Sequence, residues 1–152
     1  MSQMTSRAVR IDAIGGPEQL KLVNVTVGEP GPGEIRIRHK ACGLNYIDTY
    51  QRSGLYPLQL PSGTGNEGAG EVIAVGPGVT DLKVGDRVAY VHPLGGYAEE
   101  RLLPADRAVK LPDNIRYEQA AGMMLKGMTV QYLLNRTYKV GKGTICLIHA
   151  AA

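Results

Sequence analysis

The chain has 152 residues, 43% of them hydrophobic and 20% charged, with 20 Gly, 9 Pro, 8 Tyr and neither Phe nor Trp. That length and apolar share suit one globular unit, and the scattered Gly and Pro favour short strands and turns over long helices. A formal net charge of +3 without any run of five or more Lys/Arg argues against a nucleic-acid arm, and no apolar run approaches the roughly 20 residues of a membrane span.

Residues 6–14 (SRAVRIDAI) and 20–27 (LKLVNVTV) flank the turn cluster GGPEQ and read as a β-hairpin. A Pro/Gly turn then opens a strictly alternating stretch. Ile35, Ile37 and His39 fall on one face, and Glu34, Arg36, Arg38 and Lys40 on the other, as in a half-buried strand with a solvated basic face. NYIDTYQRSG (45–54) reads as a short helix ending at Ser-Gly. AGEVIAVG (69–76), DRVAYV (86–91), YAEERLL (97–103) and AVKL (108–111) read as further strands. Short strands at this spacing point to a small antiparallel barrel or sandwich.

From residue 117 the texture changes. YEQAAGMMLKGMTVQYLLNRTY (117–138) has no Pro and is rich in Ala, Met and Leu, which predicts one long helix, apolar on most sides and hence buried. TICLIH (144–149) reads as a short buried strand. A strand without successors leaves an open edge, so the chain is expected to stop inside a larger enzyme, at the threshold of a second domain.

GTGNEG (63–68) matches G-x-G-x-x-G, but a dinucleotide fingerprint needs a strand before it and a helix after it to hold the pyrophosphate. Here the β-pattern AGEVIAVG follows, and the match is rejected. Cys42 and Cys146 are read as reduced, buried thiols rather than a disulfide. His39 is read as a satisfied core histidine and His92 as a loop residue. The first thirty residues carry no signal pattern, so a soluble, cytoplasmic protein is expected.

Four stretches, GGPEQL, ACGLNYIDTYQRSGLYP, PSGTGNEGAGEVIAVGPGVTDLKVGDRVAY and AAGMMLKGMTVQYLL, resemble the medium-chain dehydrogenase/reductase superfamily, within it the NADPH quinone oxidoreductases of the zeta-crystallin-like group. LIHAAA resembles the strand that enters the family's glycine-rich turn. The resemblance implies a mainly β fold with α: a GroES-like β-barrel catalytic domain over residues 1–116. Residues 117–152 would supply one long helix and the first strand of an incomplete Rossmann domain.

Zinc alcohol dehydrogenases share the scaffold, and their pattern would place Cys at position 45 and His at position 66. This chain has Asn45 and Asn66, poor zinc ligands beside thiolate and imidazole, so no metal is expected and Glu67 is assigned a structural hydrogen-bonding role. The chemistry implied is hydride transfer from NADPH to a quinone-like acceptor, with the chain inactive alone.

Asn45, Asp48, Tyr50 and Tyr56 are the candidate catalytic residues. Asn45, Tyr46, Asp48, Lys126, Thr129, Ala151 and Ala152 are the candidate cofactor contacts. Asp48 also reads as a helix cap, Tyr56 as turn packing, and Lys126 as a stem covering apolar surface. Enones and enoyl thioesters need the same hydride geometry. A different class of reading is a non-enzymatic interaction module, or one binding RNA through Arg36, Arg38 and Lys40. For a full-length enzyme of this kind the resemblance implies a homodimer.

Overall fold

The computed structural model describes residues 4–149. β1 (Met4–Ile11) and β2 (Lys21–Val27) form the expected hairpin, with Met4 opposite Val27 and Arg10 opposite Lys21. β3 (Glu34–Gly43) follows, then the short helix α1 (Tyr46–Ser53). β4 (Ser62–Gly63), β5 (Glu67–Val75), β6 (Arg87–Val91), β7 (Glu100–Pro104) and β8 (Ala108–Lys110) complete the β region. α2 (Tyr117–Tyr132) runs on into a π turn, Leu133–Thr137.

The strands make two antiparallel sheets, ordered β2-β1-β4 and β7-β3-β5-β6-β8. Tyr97–Glu99 stitches them together. The Tyr97 carbonyl accepts from Val9 N–H at 2.7 Å, Glu99 N–H donates to the Arg7 carbonyl at 2.9 Å, and Ala98 bridges Ala8. The chain then passes to β3 as β7. The stretch 97–103, read as one strand, is therefore divided between both sheets, and the division closes them into a small barrel.

Ile35, Ile37, Val72, Leu82, Val88, Tyr90 and Leu103 fill the barrel, contributed mainly by alternate positions of β3, β5, β6 and β7. A second cluster of small side chains, Ala69 and Ala89 against Ala120 and Ala121, seats α2 on the outside of β5 and β6. Small residues let the helix axis approach the sheet closely. No helix among the described residues is long and apolar enough to cross a membrane.

Four expectations need correction. Arg36 is buried, not solvated: β3 bulges beside it, and its guanidinium lies against Glu29 and Glu100. α2 buries only Ala120 and Ala121, because a single narrow face docks on the sheet. Met123, Met128, Val130 and Tyr132 stay exposed. Residues 144–149 form no ladder with any described segment, and Ile145 is 98% exposed. β-branched residues favour extended backbone, but a strand exists only by pairing. Both cysteines are free, as expected, but exposed.

Candidate functional site

The start of α1 organises the site. Asn45, in extended conformation, donates its N–H to Asp48 Oδ2 at 3.0 Å, while Gly54 in the left-handed region ends the helix. Asp48 is only 7% exposed, and both its oxygens are engaged by protein donors. Oδ1 accepts from the Asn66 amide and Oδ2 from the Tyr97 hydroxyl. Asn66 also donates to Gln51 Oε1 at 3.2 Å. Asp48 thus caps its helix and clamps the turn before β5 and the Tyr97 crossing to it. Burial, then the hydrogen bond to the carboxylate, holds the Tyr97 phenol well above its ordinary pKa, because a phenolate there would be desolvated beside a negative charge. Asn66 Oδ1 and Thr64 Oγ1 are buried without a partner among the described residues.

A second cluster lies on the other side of Asn45. Glu67 is 0% exposed. Its Oε1 accepts from Asn45 Nδ2 at 2.8 Å, and its Oε2 accepts from Leu125 N–H of α2 at 2.6 Å. Lys126 Nζ donates to Asn45 Oδ1 at 2.7 Å and approaches Glu67 Oε1 at 3.4 Å. The 8%-exposed Asn45 amide therefore bridges a buried carboxylate and an ammonium whose side chain is 57% exposed. These contacts tie α2 to the end of β3 and the start of β5. They are the structural hydrogen-bonding role expected of Glu67.

The tyrosines form an aromatic ridge on α1 and the turn after it. Tyr46 meets Tyr50 edge-on at 5.2 Å between centroids, and Tyr50 meets Tyr56 at 5.4 Å. Tyr46 and Tyr56 are exposed. Thr129 donates its hydroxyl to the Leu125 carbonyl at 2.9 Å, one turn back in its own helix. Ala151 and Ala152 lie outside the described residues. Tyr97 and Gln51 escaped the reading of the sequence, where the only cue to Tyr97 was its place after a Gly-Gly turn.

Among the described residues no group of three or more His, Cys, Asp or Glu is placed to hold a metal ion. GTGNEG leads into β5, a strand, and Gly65 at φ +90° packs under the Tyr97 ring. His39 makes no side-chain hydrogen bond to either cluster. Its Nδ1 is 2.6 Å from the Ala98 carbonyl and its Nε2 2.8 Å from the Tyr90 hydroxyl, which makes it the satisfied histidine expected.

Burial, reinforced by Arg101 and only partly offset by the Ala98 carbonyl, lowers the His39 pKa from 6.5 to about 4. The unfolded chain binds the proton first as pH falls. The stability His39 contributes is therefore intact above pH 6.5 and is lost progressively towards pH 4, by about 3 kcal/mol in all. Unfolding free energy should fall more steeply across that window in the wild type than in His39→Gln. Parallel slopes would refute this assignment.

Comparison with known proteins matches residues 31–113 to the alcohol dehydrogenase GroES-like domain. The chain is 56% identical over 149 residues to a quinone oxidoreductase of Pseudomonas aeruginosa, covering 97% of this chain and 46% of that relative. It is 49% identical to a 2-haloacrylate reductase of Burkholderia sp., covering 91% of this chain and 44% of that protein. The crystal structure of Escherichia coli quinone oxidoreductase complexed with NADPH superposes with a TM-score of 0.85 at 48% identity, covering 88% of this chain and 42% of that one. The chain thus spans less than half the length of the curated relatives it matches.

Proposed function

Because the chain belongs to the family of alcohol dehydrogenase GroES-like domains, we propose that it forms the acceptor-side portion of a zinc-independent, NADPH-dependent quinone oxidoreductase. The observation that carries this reading is the interlocked Lys126–Asn45–Glu67 cluster at the start of α1, which also carries an exposed aromatic ridge. The similarity to quinone oxidoreductases, one of them an NADPH complex, supports it.

The residues present fit a nicotinamide. The second N–H of Asn45 Nδ2, the outward-reaching Lys126 ammonium and the open face of Tyr46 offer donors and a flat apolar wall. When bound, the reduced nicotinamide supplies the hydride. Asn45 and Lys126 hold it or the acceptor oxygen, and Tyr50 and Tyr56 line the acceptor slot. Asp48 acts as a positioning residue, since its oxygens already serve Asn45, Asn66 and Tyr97. The Thr129 hydroxyl can reach a ligand only as an acceptor while it donates to Leu125. Zinc independence rests on the donor chemistry: positions 45 and 66 are amides, and an ammonium adjoins one of them.

The protein that carries this sequence should oxidise NADPH in the presence of 1,4-naphthoquinone, at a rate unchanged by prolonged dialysis against a chelator. Absence of turnover would overturn the quinone reading, and loss of turnover on chelation would overturn its zinc-independent part. The similarity to a 2-haloacrylate reductase favours an activated alkene as a second acceptor class, tested by substituting 2-chloroacrylate in the same assay. The RNA-binding alternative is disfavoured, because Arg36 and Arg38 both pair with Glu100.

A further inference from the structure

We propose that the Lys126 ammonium is the electrophile of this site, stabilising the oxyanion that forms when the acceptor is reduced. The inference rests on the functional reading above. It goes further by giving Lys126 a role towards the acceptor rather than the cofactor.

Charge is the first argument. Glu67 is wholly buried, and Lys126 is the cation that approaches it. A buried carboxylate needs a counter-charge, which holds the lysine head in place beside it. Donor accounting is the second. An ammonium has three N–H groups, and only the bond to Asn45 Oδ1, at 2.7 Å, is short. The approaches to Glu67 Oε1 at 3.4 Å and to the Leu44 carbonyl at 3.5 Å exceed the ordinary range of roughly 2.7–3.2 Å. With its side chain 57% exposed, Lys126 keeps donor capacity directed out of the cluster. Placement is the third: its partners Leu44 and Asn45 immediately precede Tyr46, the first member of the aromatic ridge.

The reaction leaves charge for such a group to meet. The acceptor takes up a hydride, one proton with two electrons, and the nicotinamide is left oxidised. Negative charge collects on the acceptor's carbonyl oxygen as a phenolate, or as an enolate in an activated alkene, until a proton from water completes the product. A donor already held by Asn45 and Glu67 stabilises that charge without reorganising.

The test pairs a phenolate probe, titrated without cofactor, with steady-state kinetics on the same variants. 4-Nitrophenol is titrated into the wild type, Lys126→Arg and Lys126→Met forms of the protein that carries this sequence, and the bound phenolate is read from its absorption band. The wild type should select the phenolate and Lys126→Arg should retain it. Lys126→Met should lose roughly 100-fold in phenolate affinity, and a similar factor in kcat at an unchanged KM for NADPH. If the lone buried carboxylate prevents Lys126→Met from folding, Glu67→Gln/Lys126→Met removes both charges together and replaces it.

Equal phenolate binding by wild type and the neutral variant overturns the inference. A raised KM for NADPH with kcat spared also overturns it, because Lys126 would then serve the cofactor. The two readings fail separately. Lys126-dependent phenolate binding in a protein that reduces no quinone sinks the functional reading alone. Quinone turnover indifferent to Lys126 sinks the oxyanion role alone.

Discussion

Replacing Glu67 by Ala is expected to lower the free energy of unfolding by about 3 kcal/mol. The carboxylate serves three donors: Asn45 Nδ2, Leu125 N–H and, at longer range, Lys126 Nζ. Asn45 is buried and the Leu125 contact half-buried, so truncation strands donors where water cannot replace the lost oxygen. Lys126 contributes little to the loss, because its exposed head finds solvent instead. Glu67→Gln keeps the side-chain volume and one acceptor oxygen, and should cost about half as much, the new amide facing donors rather than acceptors. Urea unfolding resolves both through the midpoint at constant slope. An unchanged midpoint for Glu67→Ala would mean that the tie between α2 and the barrel is incidental.

The architecture was legible where local chemistry decides it. GGPEQ between two alternating stretches specifies the β1–β2 hairpin, and the Ile35/Ile37 alternation specifies the buried face of β3. The start of α2 at Tyr117 follows from the change in composition. Where pairing across the molecule decides, the linear pattern misled. β4, at two residues, is too short to have a period, and it exists because β1 offers it an edge. Arg36 alternates with the polar residues, yet the bulge beside it and the carboxylates of Glu29 and Glu100 bury it. TICLIH has the composition of a strand and no partner among the described residues.

The candidate site was legible in its parts but not in its wiring. Asn45, Asp48 and Glu67 stand out through the resemblance, because NYID and GNE fall where the shared scaffold carries its site residues. That Lys126 reaches Asn45, from 81 positions away in the chain, is set by α2 docking on Ala69 and Ala89. Tyr97 is the clearest omission. Its role comes from the chain crossing between sheets beside Gly65, and no spacing in the sequence encodes that crossing.

Gly43→Ala should be among the most damaging single-methyl changes in this chain, at about 3 kcal/mol or more. Gly43 closes β3 opposite Glu67, buried, with a backbone that any residue could adopt, so conformation is not the obstacle. Contact is. A Cβ there would fall within overlap distance of the Ala121 carbonyl oxygen and of the Glu67 side chain. The first is helix backbone and cannot yield alone; the second is pinned by its three donors. The strain must push α2 off the sheet, loosening the Leu125–Glu67 and Lys126–Asn45 bonds together, so under the proposed function the quinone turnover of the protein that carries this sequence should fall along with stability.

Gly122→Ala, the same chemical change on α2 one residue beyond Ala121, is the matched control. Apart from its chain neighbours and the backbone of its own helix, no described atom lies within 4 Å of the added methyl, and a helical Gly-to-Ala exchange stabilises by about 1 kcal/mol. Opposite shifts in Tm for the two variants would locate the helix–sheet contact at Gly43. Two shifts of the same sign would show that α2 does not bear on the barrel at that point, and the wiring of Lys126 to Asn45 would lose its mechanical basis.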